Sequence, residues 1–121
     1  MSKLAGPSQP PEDTLAAIAR NLDAVLNARR GYAAAQVFGL GDHNVYEWPK
    51  PRLDAMMADM TEQVRRFEPR LHAPAVRYAG HEGTLWVRFE ITGAVLGAPQ
   101  TFKVLFHVIL RTAKVTAPAA P

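Results

Sequence analysis

The fold of this chain is decided around VRRFEPRLHAP, residues 64–74, where helical patterning gives way to stranded patterning. Before this stretch, apolar residues recur every three or four positions, as they do on one face of an α-helix. After it, apolar and polar residues alternate, as they do in strands with one buried face. Pro69 disfavours helical geometry at Glu68, so we expect the helix to end there. Helices followed by strands predict an α+β domain.

Two amphipathic helices are predicted before this point. The first runs from about Thr14 to Arg30, with Asp13 or Thr14 as its N-cap and Gly31 as its stop. Its apolar positions are Leu15, Ile18, Leu22, Val25 and Leu26. The second runs from about residue 52 to residue 67, with the apolar stripe Leu53, Met57, Met60, Val64 and Phe67. A methionine-rich stripe is typical of a core, and it also occurs in adaptable binding grooves.

A chain of 121 residues is expected to form one domain. We predict a loose N-terminal arm over residues 1–13, the domain over 14–115 and a loose tail over 116–121. Between the helices, Tyr32–Lys50 is rich in glycine and aromatic residues. We interpret it as an ordered loop, which is either packed for stability or used in binding.

Three antiparallel strands are predicted after Pro74, over residues 75–80, 84–92 and 101–111, with turns at 80–83 and 97–99. The two helices are expected to pack on one face of this three-stranded β-meander. The residues predicted to face the helices are Leu85, Val87, Phe89, Ile91, Phe102, Val104, Phe106, Val108 and Leu110. Three apolar residues, Trp86, Leu105 and Ile109, point the other way, which indicates a buried contact on the far face.

The last predicted strand runs on through RTAKVT, residues 111–116, which carries Arg111 and Lys114. An edge strand has spare backbone donors and acceptors, which can pair with a strand from another chain. Charged side chains on an edge can instead prevent such pairing. The sequence leaves both interpretations open.

Composition excludes several classes of protein. The absence of cysteine excludes disulfides, thiolate metal sites and cysteine nucleophiles. The formal net charge of +3 suits an acidic protein partner and nucleic acid equally. The N-terminus lacks the apolar stretch of a signal peptide, and no apolar run is long enough to cross a bilayer. We therefore predict a cytoplasmic protein that does not insert into a membrane.

Motifs that bind metals, phosphates or nucleic acids are not recognisable in the sequence. The histidines, His43, His72, His81 and His107, do not have the spacing of metal ligands. The stretch GLGDHN, residues 39–44, lacks the strand–loop–helix context of a phosphate loop. The basic pairs at 29–30 and 65–66 belong to no nucleic-acid motif. We predict no metal, no cofactor, no nucleic-acid partner and no small-molecule substrate.

Glu68 lies among three arginines, at positions 65, 66 and 70, and two hypotheses follow. A general acid for sugar hydrolysis needs a raised pKa, whereas neighbouring cations lower the pKa of a carboxyl group. A glycosidase also needs a second carboxylate, and no spacing singles one out. Alternatively, Glu68 and Arg70 project to one side as an ion pair stiffened by Pro69. Such a pair either docks a partner at a buried interface or is an exposed ion pair that contributes little stability.

Three stretches of the chain resemble the lysozyme-like baseplate wedge family of contractile tails. They are NLDAVLNARRG (21–31), FGLGDHN (38–44) and VRRFEPRLHAP (64–74), and paired amphipathic strands follow them. The resemblance covers residues 14–115 and is strongest to TssE, the baseplate subunit of type VI secretion systems. Phage tails carry relatives too. One departure is Ala28, which stands where many members have threonine.

The resemblance implies a non-enzymatic structural subunit that joins the baseplate wedge to the first ring of the contractile sheath. The Glu-Pro-Arg motif is implied to hold the subunit against the other wedge subunits, and the C-terminal sheet to pair with sheath strands. The predicted partner-binding residues are Glu68, Pro69, Arg70, Arg66, Phe102, Val104, Phe106, Arg111 and Lys114. No catalytic residue is predicted. On this interpretation, Glu68→Ala or Arg70→Ala leaves the fold intact but prevents incorporation into the wedge.

Three rival functions share the same sequence features. A phage tail baseplate protein would have the same role in a different machine. A peptidoglycan-cleaving, lysozyme-like enzyme would use Glu68 as its acid. An anti-adaptor of the same fold would block a response-regulator-like partner, and a protease adaptor would then co-purify with it in place of wedge and sheath subunits.

Overall fold

The computed structural model of the chain describes residues 10–27 and 50–118. Helix α1 spans Glu12–Asn27 and helix α2 spans Lys50–Phe67. Four strands follow: β1 (His72–Glu82), β2 (Trp86–Val95), β3 (Ala98–His107) and β4 (Thr112–Thr116). The predicted stop at Gly31, almost all of the loop predicted for 32–50, and much of the predicted arm and tail lie outside the described residues.

The four strands form one antiparallel sheet in which each strand pairs with the next one in the chain. The prediction of three strands is wrong because the backbone turns through residues 108–111 and returns as β4. Arg111 adopts a φ of 57°, and its N–H donates to the His107 carbonyl oxygen at 2.7 Å. The His107 ring accepts a further bond from the Leu110 N–H at 3.1 Å. This turn contains neither glycine nor proline, so the sequence does not signal it.

The core lies between the two helices and one face of the sheet, as predicted. Helix α2 packs mainly against β1 and helix α1 against β4, and the helices also contact each other. The sheet contributes alternate residues to this core, because successive side chains of a strand point to opposite faces. They are Val87, Phe89, Ile91, Val95, Phe102, Val104, Phe106, Ala113 and Val115, joined by Val108 from the turn.

The helices bury most of their predicted apolar positions. In α1, Leu15, Ile18, Leu22 and Leu26 are buried. In α2, Met60 and Val64 are buried as predicted. However, Met56 rather than Met57 completes their four-residue spacing, and Phe67 is 48% exposed. The methionines at 56 and 60 are therefore core residues rather than the lining of a groove.

Helix α1 begins two residues before the predicted start. The Pro11 carbonyl oxygen accepts bonds from the Thr14 N–H at 3.0 Å and the Leu15 N–H at 3.2 Å. Asp13 and Thr14 therefore lie in the first turn and do not cap the helix. Glu12 and Asp13 place negative charge near the positive end of the helix macrodipole, which stabilises it. Helix α2 ends at Phe67, as Pro69 predicts.

Some apolar residues near the ends of the strands do not lie where simple alternation predicts. Leu85 and Leu110, predicted to face the core, are exposed because they lie in turns. On the outer face, Trp86 is half-buried and packs edge-on against the His107 ring, with 4.7 Å between ring centroids. An internal cross-strand contact thus accounts for part of the apolar character that the sequence assigned to a partner.

A tight two-residue turn joins β2 to β3. Val95 pairs with Ala98, so Leu96 and Gly97 form the whole connection. Their φ angles are 51° and 85°, the left-handed values of a type I′ turn. The turn thus starts one residue before the predicted 97–99 and is shorter, since Ala98 and Pro99 already belong to β3, where Pro99 lies opposite Ala94.

Candidate functional site

The chain makes a sharp bend where helix α2 meets the sheet. The Glu68 N–H still bonds to the Val64 carbonyl oxygen at 2.8 Å, and the Leu71 N–H bonds back to the Glu68 carbonyl oxygen at 3.2 Å. Pro69 has no N–H and cannot continue the helix. The bend turns Glu68 into the protein, where its side chain is 0% exposed, while Pro69 and Arg70 stay at the surface.

The Glu68 carboxylate is bound from three directions. The Arg70 guanidinium donates from Nε to Oε2 and from Nη2 to Oε1, both at 2.9 Å. The Arg70 backbone N–H donates to Oε2 at 3.1 Å. The Asn21 amide donates to Oε1 at 2.9 Å and to the Phe67 carbonyl oxygen at 3.0 Å. The carboxylate thus ties helix α1, the end of α2 and the bend together.

Opposing effects act on the pKa of Glu68. Burial raises the pKa, whereas hydrogen bonds from Arg70 and Asn21, together with the positive charge of Arg70, lower it. The lowering effects are larger in sum, so the pKa lies below the ordinary value of 4.5. Contact with the carboxylate also raises the pKa of Arg70. Both groups are therefore charged at neutral pH. Of the three arginines near Glu68 in the sequence, Arg70 binds its carboxylate. Arg65 pairs instead with Glu62, and the Arg66 guanidinium lies 5.6 Å from the centre of the Phe67 ring.

The pair predicted to dock a partner is therefore divided between interior and surface. Glu68 has no exposed side-chain surface, whereas the Arg70 side chain is 47% exposed. Arg66 and Phe67, which directly precede Glu68 in the chain, are both exposed. Arg70, with Pro69, also lines a shallow groove of about 450 Å³. The other residues of this groove are Thr14, His72, Val95 and Leu96.

Two residues of this site were not found from the sequence. Asn21 lies beside the apolar stripe of α1, and a polar residue at such a position is only a weak signal of a buried hydrogen bond. Leu96 precedes a glycine at a hairpin, but a leucine there has no pattern that distinguishes it from an ordinary strand residue. The tertiary fold brings Asn21 to Glu68 and places Leu96 in the same groove as Arg70.

The predicted contact residues of the third strand are mostly internal. Phe102, Val104 and Phe106 are buried in the core, so their side chains do not form a surface. Strand β3 also pairs on both sides, with β2 and with β4, and is not an edge strand. Of the predicted C-terminal residues, Lys114 is exposed on β4 and Arg111 is half-exposed in the preceding turn.

Strand β4 is an edge of the sheet, and side chains of α1 occupy its outer side. The Asn27 amide donates to the Ala113 carbonyl oxygen at 2.9 Å, and its oxygen accepts from the Ala113 N–H at 2.7 Å. The Asp23 carboxylate accepts from the Val115 N–H at 2.8 Å. These bonds use backbone groups that a partner strand would need. The sequence pointed to spare donors and acceptors here, and helix α1 satisfies three of these groups.

A carboxyl group within α2, that of Asp59, also has a perturbed pKa. Burial raises the pKa of Asp59, and its Oδ2 has no hydrogen-bond partner among the described residues. No group of three histidine, aspartate or glutamate side chains that could hold a metal ion occurs in residues 10–27 and 50–118. In the same part of the chain, neither helix is long and apolar enough to span a membrane.

Comparison with known protein families gives a match. The sequence model for baseplate wedge protein gp25 matches residues 12–100, which include both helices, the bend at Glu68 and the first two strands. No curated protein and no solved structure is similar enough to be matched. Because the matched region covers most of the chain, the protein belongs to the baseplate wedge protein gp25 family, a family of structural baseplate components.

Proposed function

We propose that this protein is a non-enzymatic subunit of a contractile injection baseplate, most specifically that of a type VI secretion system. In this proposal it works in the cytoplasm, where it joins other wedge subunits to the first ring of the contractile sheath. Arg70 and Pro69 form its contact with the wedge, flanked by Arg66. Membership of the gp25 family supports the baseplate role, and the geometry around Glu68 supports the contact site.

The observation that carries the proposal is the fixed orientation of Arg70 at the surface. Two parallel bonds from its guanidinium to a buried carboxylate restrict its long side chain. The N–H groups not used by Glu68 remain available, since the side chain is half-exposed. An arginine held in place loses less conformational entropy on binding than a mobile one. In this role Glu68 positions Arg70 from inside and does not itself meet the partner.

An enzymatic role for Glu68 is disfavoured by the same geometry. A general acid must reach the leaving oxygen of the substrate, but the Glu68 side chain is fully buried and its pKa is lowered. Among the carboxyl groups of residues 10–27 and 50–118, it is Asp59 whose pKa is raised. Glu68 lies nine positions after Asp59 in the chain, which corresponds to roughly 13 Å of helix rise. Paired catalytic carboxyl groups of glycosidases lie about 5–9.5 Å apart.

The connection to the sheath is a finer part of the proposal. Strands β1 and β4 are the two edges at which a sheath strand can add hydrogen bonds to the sheet. At β4, a partner strand would replace the side chains of Asp23 and Asn27 on the backbone of Ala113 and Val115. Exposed Lys114 and half-exposed Arg111 then lie beside the added strand.

The docking role of Arg70 is tested by binding to the purified wedge subunits of the same machine. We expect Arg70→Ala to weaken binding by about 2 kcal/mol or more, because a buried arginine at an interface centre is a frequent hot spot. Isothermal titration calorimetry below the melting temperature of the variant measures the loss. Arg70→Lys is expected to be intermediate, since lysine keeps the charge but not the planar fork.

The matched control is Arg77→Ala, which also removes the arginine of an arginine–glutamate ion pair, but at a different place on the surface. Arg77 pairs with Glu90 on the outer face of the sheet, and its side chain is largely exposed. We expect this variant to bind the wedge subunits within about twofold of the native protein, because exposed ion pairs contribute little. Equal affinities for Arg70→Ala and the native protein would contradict the proposal.

A further inference from the structure

We infer that Leu96 is a second contact residue of the docking site, and that the groove beside Arg70 receives a partner segment in which an apolar side chain lies next to a carboxylate. This inference rests on the proposed docking role of Arg70 and adds to it the chemistry of the partner. It is carried by the conformation and exposure of Leu96 and by the residues around it.

The conformation of Leu96 is unfavourable for leucine. Its φ of 51° lies in the left-handed region, where a side chain crowds the backbone. A type I′ turn strongly favours asparagine, aspartate or glycine at this position, followed by the glycine that is present at 97. The turn would therefore form more readily with another residue.

Packing against residues 10–27 and 50–118 does not account for the leucine either. Leu96 is 67% exposed, so most of its side chain makes no contact inside the described fold. Leu96 therefore destabilises the turn, and its side chain gains little packing energy within the described fold in return. Such departures are characteristic of positions that serve a function.

The surroundings of Leu96 define what it can bind. It lines the same groove of about 450 Å³ as Pro69, Arg70 and Val95. Pro69 and Leu96 offer apolar surface, and the half-exposed guanidinium of Arg70 offers N–H donors with a positive charge. Arginine recognises carboxylates through paired bonds, and exposed apolar surface gains from burial. The groove thus fits a protein segment with a glutamate or aspartate beside an apolar residue.

Leu96→Asn separates binding from folding. Asparagine adopts positive φ more readily than leucine and forms type I′ turns with glycine, so the melting temperature should be unchanged or higher. Affinity for the purified wedge subunits should fall by about tenfold, the usual scale for loss of an apolar anchor. Leu96→Met, which stays apolar, should retain affinity within about twofold. Leu110→Asn is the matched control, because Leu110 is also 67% exposed in a hairpin turn and should leave binding unchanged.

The outcomes are distinguishable. Native affinity for Leu96→Asn together with weak binding of Arg70→Ala would overturn the role of Leu96 and leave the docking role of Arg70 standing. Native affinity for both variants would overturn both. A lower melting temperature for Leu96→Asn would also overturn the inference, since it would give Leu96 an internal role. Added salt should weaken the native complex more than the Arg70→Ala complex, because it screens the attraction between Arg70 and a carboxylate. Equal weakening of both complexes would overturn the inference that the partner segment carries a carboxylate.

Discussion

Replacing Glu68 with alanine is expected to lower the free energy of unfolding by about 3 kcal/mol, because the substitution removes a buried, fully bonded carboxylate. Four hydrogen bonds disappear with it, three from Arg70 and one from Asn21. Arg70 is half-exposed and regains water, which keeps the loss at the lower end of the range for broken buried ion pairs. From the sequence, this variant is expected to keep its fold intact. The burial of Glu68 predicts instead that the variant is less stable than the native protein. Urea denaturation of both proteins measures the difference.

Glu68→Gln adds the pH dependence of the same interaction. Because the pKa of Glu68 in the folded protein lies below 4.5, its ionised form stabilises the fold. This contribution is fully present above about pH 4.5 and is lost as pH falls through the lower, folded pKa. The stability difference between the native protein and Glu68→Gln should thus be constant near neutrality and shrink in acid. Glu62→Ala, which breaks the exposed pair with Arg65, is the control and should cost under about 1 kcal/mol.

Phe102→Ala is expected to have the largest effect on stability, a loss of about 3–5 kcal/mol. Phe102 is fully buried in β3, against the core residues of both helices and the sheet. Removing its ring leaves a cavity in a strand that is paired on both sides and cannot easily move. The sequence predicted that Phe102 faces the helices and that its strand also pairs with a partner, and its burial confirms the first of these predictions.

A second phenylalanine provides the comparison. Phe67 is 48% exposed at the end of α2, so Phe67→Ala should lower the free energy of unfolding by about 1 kcal/mol or less. Thermal and urea denaturation of both variants separate the two positions. If Phe102→Ala were as stable as the native protein but failed to bind sheath subunits, β3 would have to be a surface strand, and the fold described above would be wrong.

Features that depend on local patterning were predictable from the sequence. The stop at Pro69, the apolar stripe of α1 and the alternation of β2 and β3 follow from rules that act over a few residues. The turn at residues 108–111 was missed because three apolar residues fill it and hydrogen bonds to His107 close it. No glycine or proline marks that turn.

Features of the site that depend on distant residues were not predictable. The sequence correctly indicated that arginine keeps Glu68 ionised, but not that Glu68 is buried, since burial depends on how α1 packs over the bend. Asn21 lies 47 residues from Glu68 in the chain and meets it only in the folded protein. The contacts of Asp23 and Asn27 with β4 could not be predicted either, because the bonded residues lie 86 to 92 positions apart in the chain.

The pKa of the Glu68 carboxyl group in the folded protein is the most direct test of the proposed site. It can be followed by carbon-detected NMR of protein labelled at glutamate, with Glu68→Gln used to assign the resonance. If Glu68 is an internal anchor for Arg70, its pKa lies below 4.5, and Arg70→Ala moves it upward. A pKa near neutrality in the native protein, or one that Arg70→Ala leaves in place, would contradict the anchoring role and return Glu68 to the candidates for an acid catalyst.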